Sequence, residues 1–454
     1  LRLDEREAAI AAGAIGLGDA RASELLARVT ARDPDDVMPP PETHRKVSPE
    51  QVATIRRWIA EGAPWGRHWA FEPLQRPTPP RVESPGQRNP VDAFVRARVQ
   101  QAGWRPAPEA DRTTLLKRLS LDLTGLPPSP EAVAAFEADR APDAYERAVE
   151  RLLGSPAFGE RMAWEWLEAA RYADSNGYQG DGERTMWPWR DWVVASLNAN
   201  LPFDQFTTWQ LAGDLLPQPT LEQRLATGFV RNHMINGEGG RIPEENRIDY
   251  LFDQAETVAT VWLGATFNCA RCHDHKYDPY TQRDYYSLLA FFDRTAVDGS
   301  GGDPQARPNL EVPSAEQRER RERAESALQA AALSTRDWET VQFPKSEGGT
   351  VAESDAFKAL PKELQEILKQ DPAQRDGGRL EKLAAHWKDK DAEYVRRLEA
   401  QRAARRERDA VVASIPRVMI MEDVATTRDT FILNRGVYTQ PGERVVAAVP
   451  GALS

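Results

Sequence analysis

Apolar residues recur along most of this chain at the spacing of a helix rather than of a strand. In SPEQVATIRRWIAEG (residues 48–62), Val52, Ile55, Trp58 and Ile59 share one face. Ser48 is the N-cap there, Pro49 opens the first turn and Gly62 stops the helix. The stretch before it, DDVMPPPETHR (residues 35–45), holds too many prolines for helix or strand and predicts an irregular loop. Val91, Phe94, Val95 and Val99 form a second stripe. Leu115, Leu116, Leu119 and Leu123 form a third, closed by Gly125, and Tyr145, Val149, Leu152 and Leu153 a fourth, closed by Gly154. No run of alternating apolar and polar residues interrupts this series as far as about residue 295, so the fold class is mainly α.

Breaks in the pattern divide the chain into five parts. Residues 1–71 read as a small helical unit, and the proline-rich 72–90 as an extended linker. A larger helical domain occupies 91–313. Residues 314–413 are charged helices of 3.6-residue period, which predict an antiparallel hairpin leaning on the main domain. In 414–454 the pattern changes again: TFILNRGVY reads as a strand and QPGE as a turn, a little β at the C-terminus that resembles the opening of a further domain.

Composition narrows the function classes. The 454 residues are 41% hydrophobic and 28% charged, with a net charge of −11 and basic residues scattered among acidic ones. Nucleic acid is not expected as a partner, because phosphate binding requires a basic face. No run of eighteen apolar residues occurs, so no membrane-spanning helix is expected. The two cysteines exclude a disulfide framework.

Those two cysteines stand in FNCARCHDHKYDPY (residues 267–280). Three readings compete. A redox dithiol belongs after a strand in an α/β unit, whereas AETVATVWLGATFN before it is apolar and helical. A zinc site could use Cys269, Cys272 and His275 but needs a fourth ligand, and no second cysteine pair exists. C-x-x-C-H is also the attachment signature of a c-type haem, with thioethers from Cys269 and Cys272 and His273 as proximal iron ligand. The haem is the favoured reading. It implies export to the periplasm or cell surface, where bacterial attachment chemistry works, and hence a leader upstream of Leu1. The sixth iron position calls for Met or His. His233 and Met234 adjoin in VRNHMINGEGGRIPEEN, about 100° apart if helical, so one of them at most reaches the iron; an open or water-filled position is the third reading.

Other residues carry candidate chemistry beside a blander alternative. His275 is the candidate acid or base next to the attachment point, against a turn in which Asp278 and Pro279 end the haem segment. Arg171 and Arg190 are candidate partners of haem propionates. Trp187, Trp189 and Trp192 could stack on sugar rings, although core packing is the better reading. Glu238, Glu244 and Glu245 could form a carboxylate pair or, with Asp residues, a calcium site, against a capped helix start at PEEN.

Several long segments resemble one family. LRLDEREAAI, SELLARVTARDPDDVMPPPE and SPEQVATIRRWIAEGAPW resemble the planctomycete-type cytochrome c domain, beginning after where its haem motif would stand. RLSLDLTGLPPSPEAVAAF, GERMAWEWLEAARYADSNGYQGD, TMWPWRDWV, NHMINGEGGRIPEENR and CARCHDHKYDP resemble the central domain of the same secreted multidomain cytochromes, and TFILNRGVYTQPGERV the first strands of their C-terminal domain. The resemblance implies that Met38, from the proline-flanked loop, ligates a second haem attached through residues upstream of Leu1. It also implies a piece of a longer exported protein, with 1–71 the end of a cytochrome c-like domain and 91–313 a central haem c domain. Electron transfer to a partner protein, or to other domains or chains of the same protein, is the first functional expectation. A haem oxidoreductase acting on an extracellular substrate such as carbohydrate is the second, and a glycan-binding module with a structural haem is the third.

Overall fold

The structure, a computed structural model, describes residues 3, 6–66, 69–82, 88–344 and 354–453. The described part is 57% helix and 4% strand, in agreement with the mainly α expectation. Part of the expected linker, 83–87, lies outside the described residues.

The chain forms two compact units. The first gathers Leu1–Glu109, Cys269–Tyr285 and Ala448–Ser454, and the second Ala110–Asn268 and Tyr286–Ala447. This grouping differs from the five-part division read from the sequence. The C-x-x-C-H turn groups with the N-terminal residues, and 314–447 with the helices that follow residue 110.

In the first unit, α1 (Arg6–Ala11), α2 (Glu24–Val29) and α3 (Pro49–Ala60) enclose a small core of Ala9, Ala14, Ile15, Leu26, Ile59 and Ala63. The α3 cap follows its sequence. The Ser48 hydroxyl accepts from Gln51 N, and the Gln51 side chain accepts from Ser48 N at 2.7 Å. Val52, Ile55 and Trp58 pack half-buried on that core, so the expected stripe is the inner face of the helix. Burying a side chain such as Ile59 contributes about 1.5–3 kcal/mol. α4 (Pro90–Gln101) is different. Its stripe residues Val91 and Val95 are 67% and 56% exposed, and Ala93 is its buried position. The sequence pattern gave the helix correctly, but not a covered apolar face.

The second unit opens with α5 (Arg112–Thr124), α6 (Pro130–Ala138) and α7 (Ala144–Leu153), packed around Leu116, Leu119, Phe136, Ala144 and Ala148. Gly125 ends α5 in the left-handed conformation that L side chains resist. α8 (Pro156–Ala169), α9 (Trp187–Asn198), α10 (Phe203–Ala212), α11 (Leu221–Ala226) and α12 (Pro243–Leu263) follow. Their shared core is aromatic. Trp192 stacks on Phe206 at 5.7 Å, and Trp166 meets Trp262 edge-on at 4.8 Å. α13 (Gln282–Leu289) follows the C-x-x-C-H turn.

The charged region is more than a hairpin. α14 (Ala315–Gln342) and α18 (Ala392–Ala413) are its long arms, and between them lie α15 (Asp355–Lys358), α16 (Lys362–Lys369) and α17 (Gly377–Trp387). These helices share a core that includes Phe357, Leu380, Leu383, Tyr394 and Leu398, so the region carries its own apolar interior. Its base is a two-stranded ladder, β1 (Asn309–Glu311) antiparallel to β2 (Arg417–Met419), which fixes where the arms begin and end. A second ladder pairs β3 (Thr430–Leu433) with β4 (Pro441–Val445). Here QPGE is not the turn: Pro441 already pairs with Leu433, and the reversal lies in 434–440, where Arg435 and Gly436 have positive φ.

Candidate functional site

The haem-signature turn is built by the end of α12. That helix stops at Leu263, where Gly264 takes a left-handed cap, and a 3-10 turn follows over Phe267–Arg271. Phe267 and Ala270 point inward and are buried, while Cys269 and Cys272 are exposed. Cys272 N donates to Cys269 O at 3.4 Å, which continues the three-residue turn. Side chains three apart in such a turn eclipse one another, so the two sulfurs lie on one side. Both are thiols rather than a disulfide.

His273 is exposed, and its ring Nδ1 lies 2.8 Å from Asp274 O. A carbonyl can only accept, so Nδ1 is the donor, and in a neutral ring Nε2 is the nitrogen with the lone pair. That is the tautomer an iron ligand requires, with the second ring nitrogen held by a backbone carbonyl. Two thiols on one side of a turn and an adjoining imidazole with a bare Nε2 fit a c-type haem.

His275 takes the opposite tautomer. Its Nδ1 accepts from Asp278 N at 2.8 Å and Tyr277 N at 3.2 Å, and its backbone N donates to Tyr280 O at 2.8 Å. The ring meets Tyr280 edge-on, and its side chain is 8% exposed. Nδ1 is therefore taken up in closing the turn. Asp274 contributes to the same closure by accepting from Gln282 N at 2.8 Å, and Gln282 Nε2 donates to Arg271 O. Met38 belongs to this same unit; it is 40% exposed, and its N–H is bonded to Arg28 O at 3.0 Å.

The other candidate residues belong to the second unit. Arg171 and Arg190 line one cavity of about 910 Å³ together with Trp164, Glu168, Tyr172 and Asp191. Arg171 is ion-paired with Asp253, and Arg190 with Asp191 at 2.7 Å. The Arg190 guanidinium lies 6.0 Å over the Tyr172 ring. Burial pushes the Tyr172 hydroxyl up, and its bond to Asp174 adds to this. Trp189 and Trp192 are core residues, as the core-packing reading had it, and Trp189 Nε1 donates to Ala226 O, whereas Trp187 is 40% exposed.

Around His233 three loops meet. Arg184, nearly buried, donates to the carbonyls of Ala173, Asn232 and His233, and burial lowers it to about 10. Arg231, wholly buried, donates to Ile420 O at 2.8 Å and to the carbonyls of Ala306, Arg307 and Pro308; burial lowers it to about 9. His233 is itself fully buried. Its Nδ1 lies 2.7 Å from Met234 O, its ring stacks on Tyr250 at 4.8 Å, and its Nε2 has no protein partner. Burial, followed by the charge of Arg231, holds it well below the usual histidine range. Met234 is half-buried.

The expected calcium site is not formed. Glu244 receives the Arg247 guanidinium through both oxygens, and Glu238 accepts from Gln179. No group of three or more His, Cys, Asp or Glu among the described residues could hold a metal ion. The described residues also contain no helix long and apolar enough to cross a membrane. The sequence reading missed Arg231, Tyr250 and the 298–303 loop. An arginine inside the apolar run TGFVRNHM and three glycines in DGSGGD were the signals available.

Residues 90–297 match the family described as a protein of unknown function (DUF1549), and residues 1–42 match planctomycete cytochrome C. No curated protein and no solved structure matches the chain.

Proposed function

We propose, from the premise that these two matches are those of the planctomycete-type cytochrome c family, that Cys269, Cys272 and His273 carry one covalent haem c through which the protein passes electrons. The observation that supports this most is the His273 ring, whose Nδ1–H is held by Asp274 O while Nε2 is left as a ligand. Cys269 and Cys272 would hold the porphyrin through thioethers, with His273 as the iron's protein ligand. Once bound, the group supplies reversible one-electron exchange at its iron.

The chain's own residues then have definite tasks. The turn holds both thiols on one side, and Asp274 and Gln282 keep it closed. His275 acts as a positioning residue, because its Nδ1 gathers the N–H groups of Tyr277 and Asp278. Arg171 and Arg190 are assigned to propionates on guanidinium chemistry alone. For the sixth iron position Met234, His233 and exogenous ligands would be the candidates, on residue type alone. Export to the periplasm or cell surface follows from the attachment chemistry.

An absorption spectrum of protein matured in a host competent for cytochrome c assembly tests the reading, taken oxidised, reduced, and reduced with carbon monoxide. Low-spin bands indifferent to carbon monoxide support a closed iron and electron relay. Bands that shift with carbon monoxide keep the haem but point to chemistry at an open iron. A colourless product from such a host overturns the haem assignment.

A further inference from the structure

The cavity behind His233 lies within the second unit, and the inference drawn from it rests on the reading in which Met234 or an exogenous ligand, not His233, takes the sixth iron position. It measures about 250 Å³ and is lined by His233, Ile235, Tyr250, Val297, the 298–301 loop, Asp303 and Arg307. We propose that this cavity is a binding site for a small neutral polyol, up to the size of one sugar ring, anchored by a ligand hydroxyl donating to His233 Nε2.

Four observations lead there. The first is the orphaned acceptor. A fully buried ring nitrogen without a partner costs about 1–3 kcal/mol, which a ligand O–H would recover. Because Nδ1–H is fixed on Met234 O, Nε2 can only accept, so the ligand atom facing it must donate.

The second is charge. Arg231 and Arg184 press on His233 and disfavour a cation, while the terminal Nη groups of both already donate to carbonyls. The wall carries Asp298 and Asp303, bonded to Ser300 and Gln305 respectively, together with Arg307, so neither sign of charge is unopposed there. A neutral, hydroxyl-bearing molecule satisfies both constraints.

The third is size. Drug-sized sites run to about 300–1,000 Å³, so this cavity takes a single ring rather than a chain of them. Ile235, Val297 and Tyr250 offer apolar contact for the C–H face of such a ring.

The fourth is that the wall is preformed. Gly299 sits at φ +68, and a Cβ there would stand 2.1 Å from Pro243 O and 2.5 Å from Arg247 N. The loop is thus pressed onto the start of α12, and its position is set by backbone contact.

The test is calorimetric titration of the full chain with D-glucose, D-galactose and glycerol. Two variants accompany it. His233→Phe keeps a ring against Tyr250 and removes the acceptor. Ala296→Trp adds bulk at an exposed lining position and leaves the His233 side chain itself unchanged. The expected result is saturable binding of at least one of the three probes, weakened at least tenfold by both variants. Absence of saturable binding to all three, or binding that Ala296→Trp leaves unchanged, overturns the proposal. Should His233→Phe not fold, Ala296→Trp alone decides. The haem spectrum is read separately: absence of polyol binding leaves the attachment through Cys269, Cys272 and His273 standing, a colourless product leaves the polyol site standing, and loss of low-spin bands in His233→Phe would give His233 to the iron and overturn the polyol site.

Discussion

Arg375 and Glu339 form a two-pronged ion pair inside the charged helical region. Nη2 meets Oε2 at 2.8 Å and Nη1 meets Oε1 at 2.5 Å, with side chains 0% and 10% exposed. Tyr394 adds a third bond by donating to Glu339 Oε1 at 2.6 Å. α14, α18 and the segment before α17 are thereby tied at one buried point. Truncating one partner leaves the other charge buried and uncompensated. Arg375→Met is expected to destabilise this region by about 3–5 kcal/mol, read as lost hydrogen-exchange protection in α14 and α18. The double variant Glu339→Met/Arg375→Met should recover much of that loss, since no charge then remains stranded.

Gly213 gives a steric prediction in the second unit. It is buried at the end of α10, and an added Cβ would stand 2.0 Å from the backbone oxygen of Gln223. A backbone atom cannot swing aside as a side-chain tip can. Gly213→Ala should therefore cost about 1–3 kcal/mol through displacement of α11, visible as a lower thermal midpoint. An unchanged midpoint would show that α10 and α11 separate freely there.

Much of this architecture was legible in the chain, for identifiable reasons. The α3 cap and stripe, the α5 stop at Gly125 and the C-x-x-C-H turn are local, set by residues within a few positions of one another. What was not legible depended on distant packing. The α4 stripe has the same period as the α3 stripe, and no local feature shows that Val91 and Val95 stay exposed. The QPGE segment carries turn residues, yet cross-strand pairing with Leu433 draws Pro441 into β4. His233 could be picked out as a candidate, but that its Nδ1 is spent and its Nε2 orphaned emerges only from the meeting of three loops.

Glu244 supplies a pH dependence. The Arg247 guanidinium, hydrogen-bonded to it, is the main influence holding its carboxyl below the ordinary 4.5. For a depressed carboxyl the stabilisation is complete above 4.5, where both folded and unfolded chains are ionised. It is lost as pH falls below 4.5 and through the folded value, because the unfolded chain takes up its proton first. Glu244 is 57% exposed, so solvent screening limits the contribution to less than about 1 kcal/mol. In urea unfolding, wild type should exceed Glu244→Gln by that margin at pH 6, and the gap should close at pH 3. A gap that widened in acid would contradict the sign.

The haem turn separates attachment from ligation, and the two can be broken independently. Covalent attachment needs the sulfurs, so Cys269→Ala/Cys272→Ala should yield a chain whose intact mass lacks the porphyrin. Ligation needs His273 Nε2, oriented by the Nδ1 bond to Asp274 O at 2.8 Å. His273→Ala should keep at least some covalent haem mass while losing low-spin character, and added imidazole should restore the spectrum by filling the vacated space. Because Asp274 O is a backbone atom, side-chain changes at Asp274 should act differently. Asp274→Ala removes only the bond to Gln282 N, loosening the turn with a smaller spectral change. If His273→Ala left the spectrum untouched while the double cysteine variant abolished attachment, the iron would be held by another residue, and the proximal assignment of His273 would fall although the haem remained.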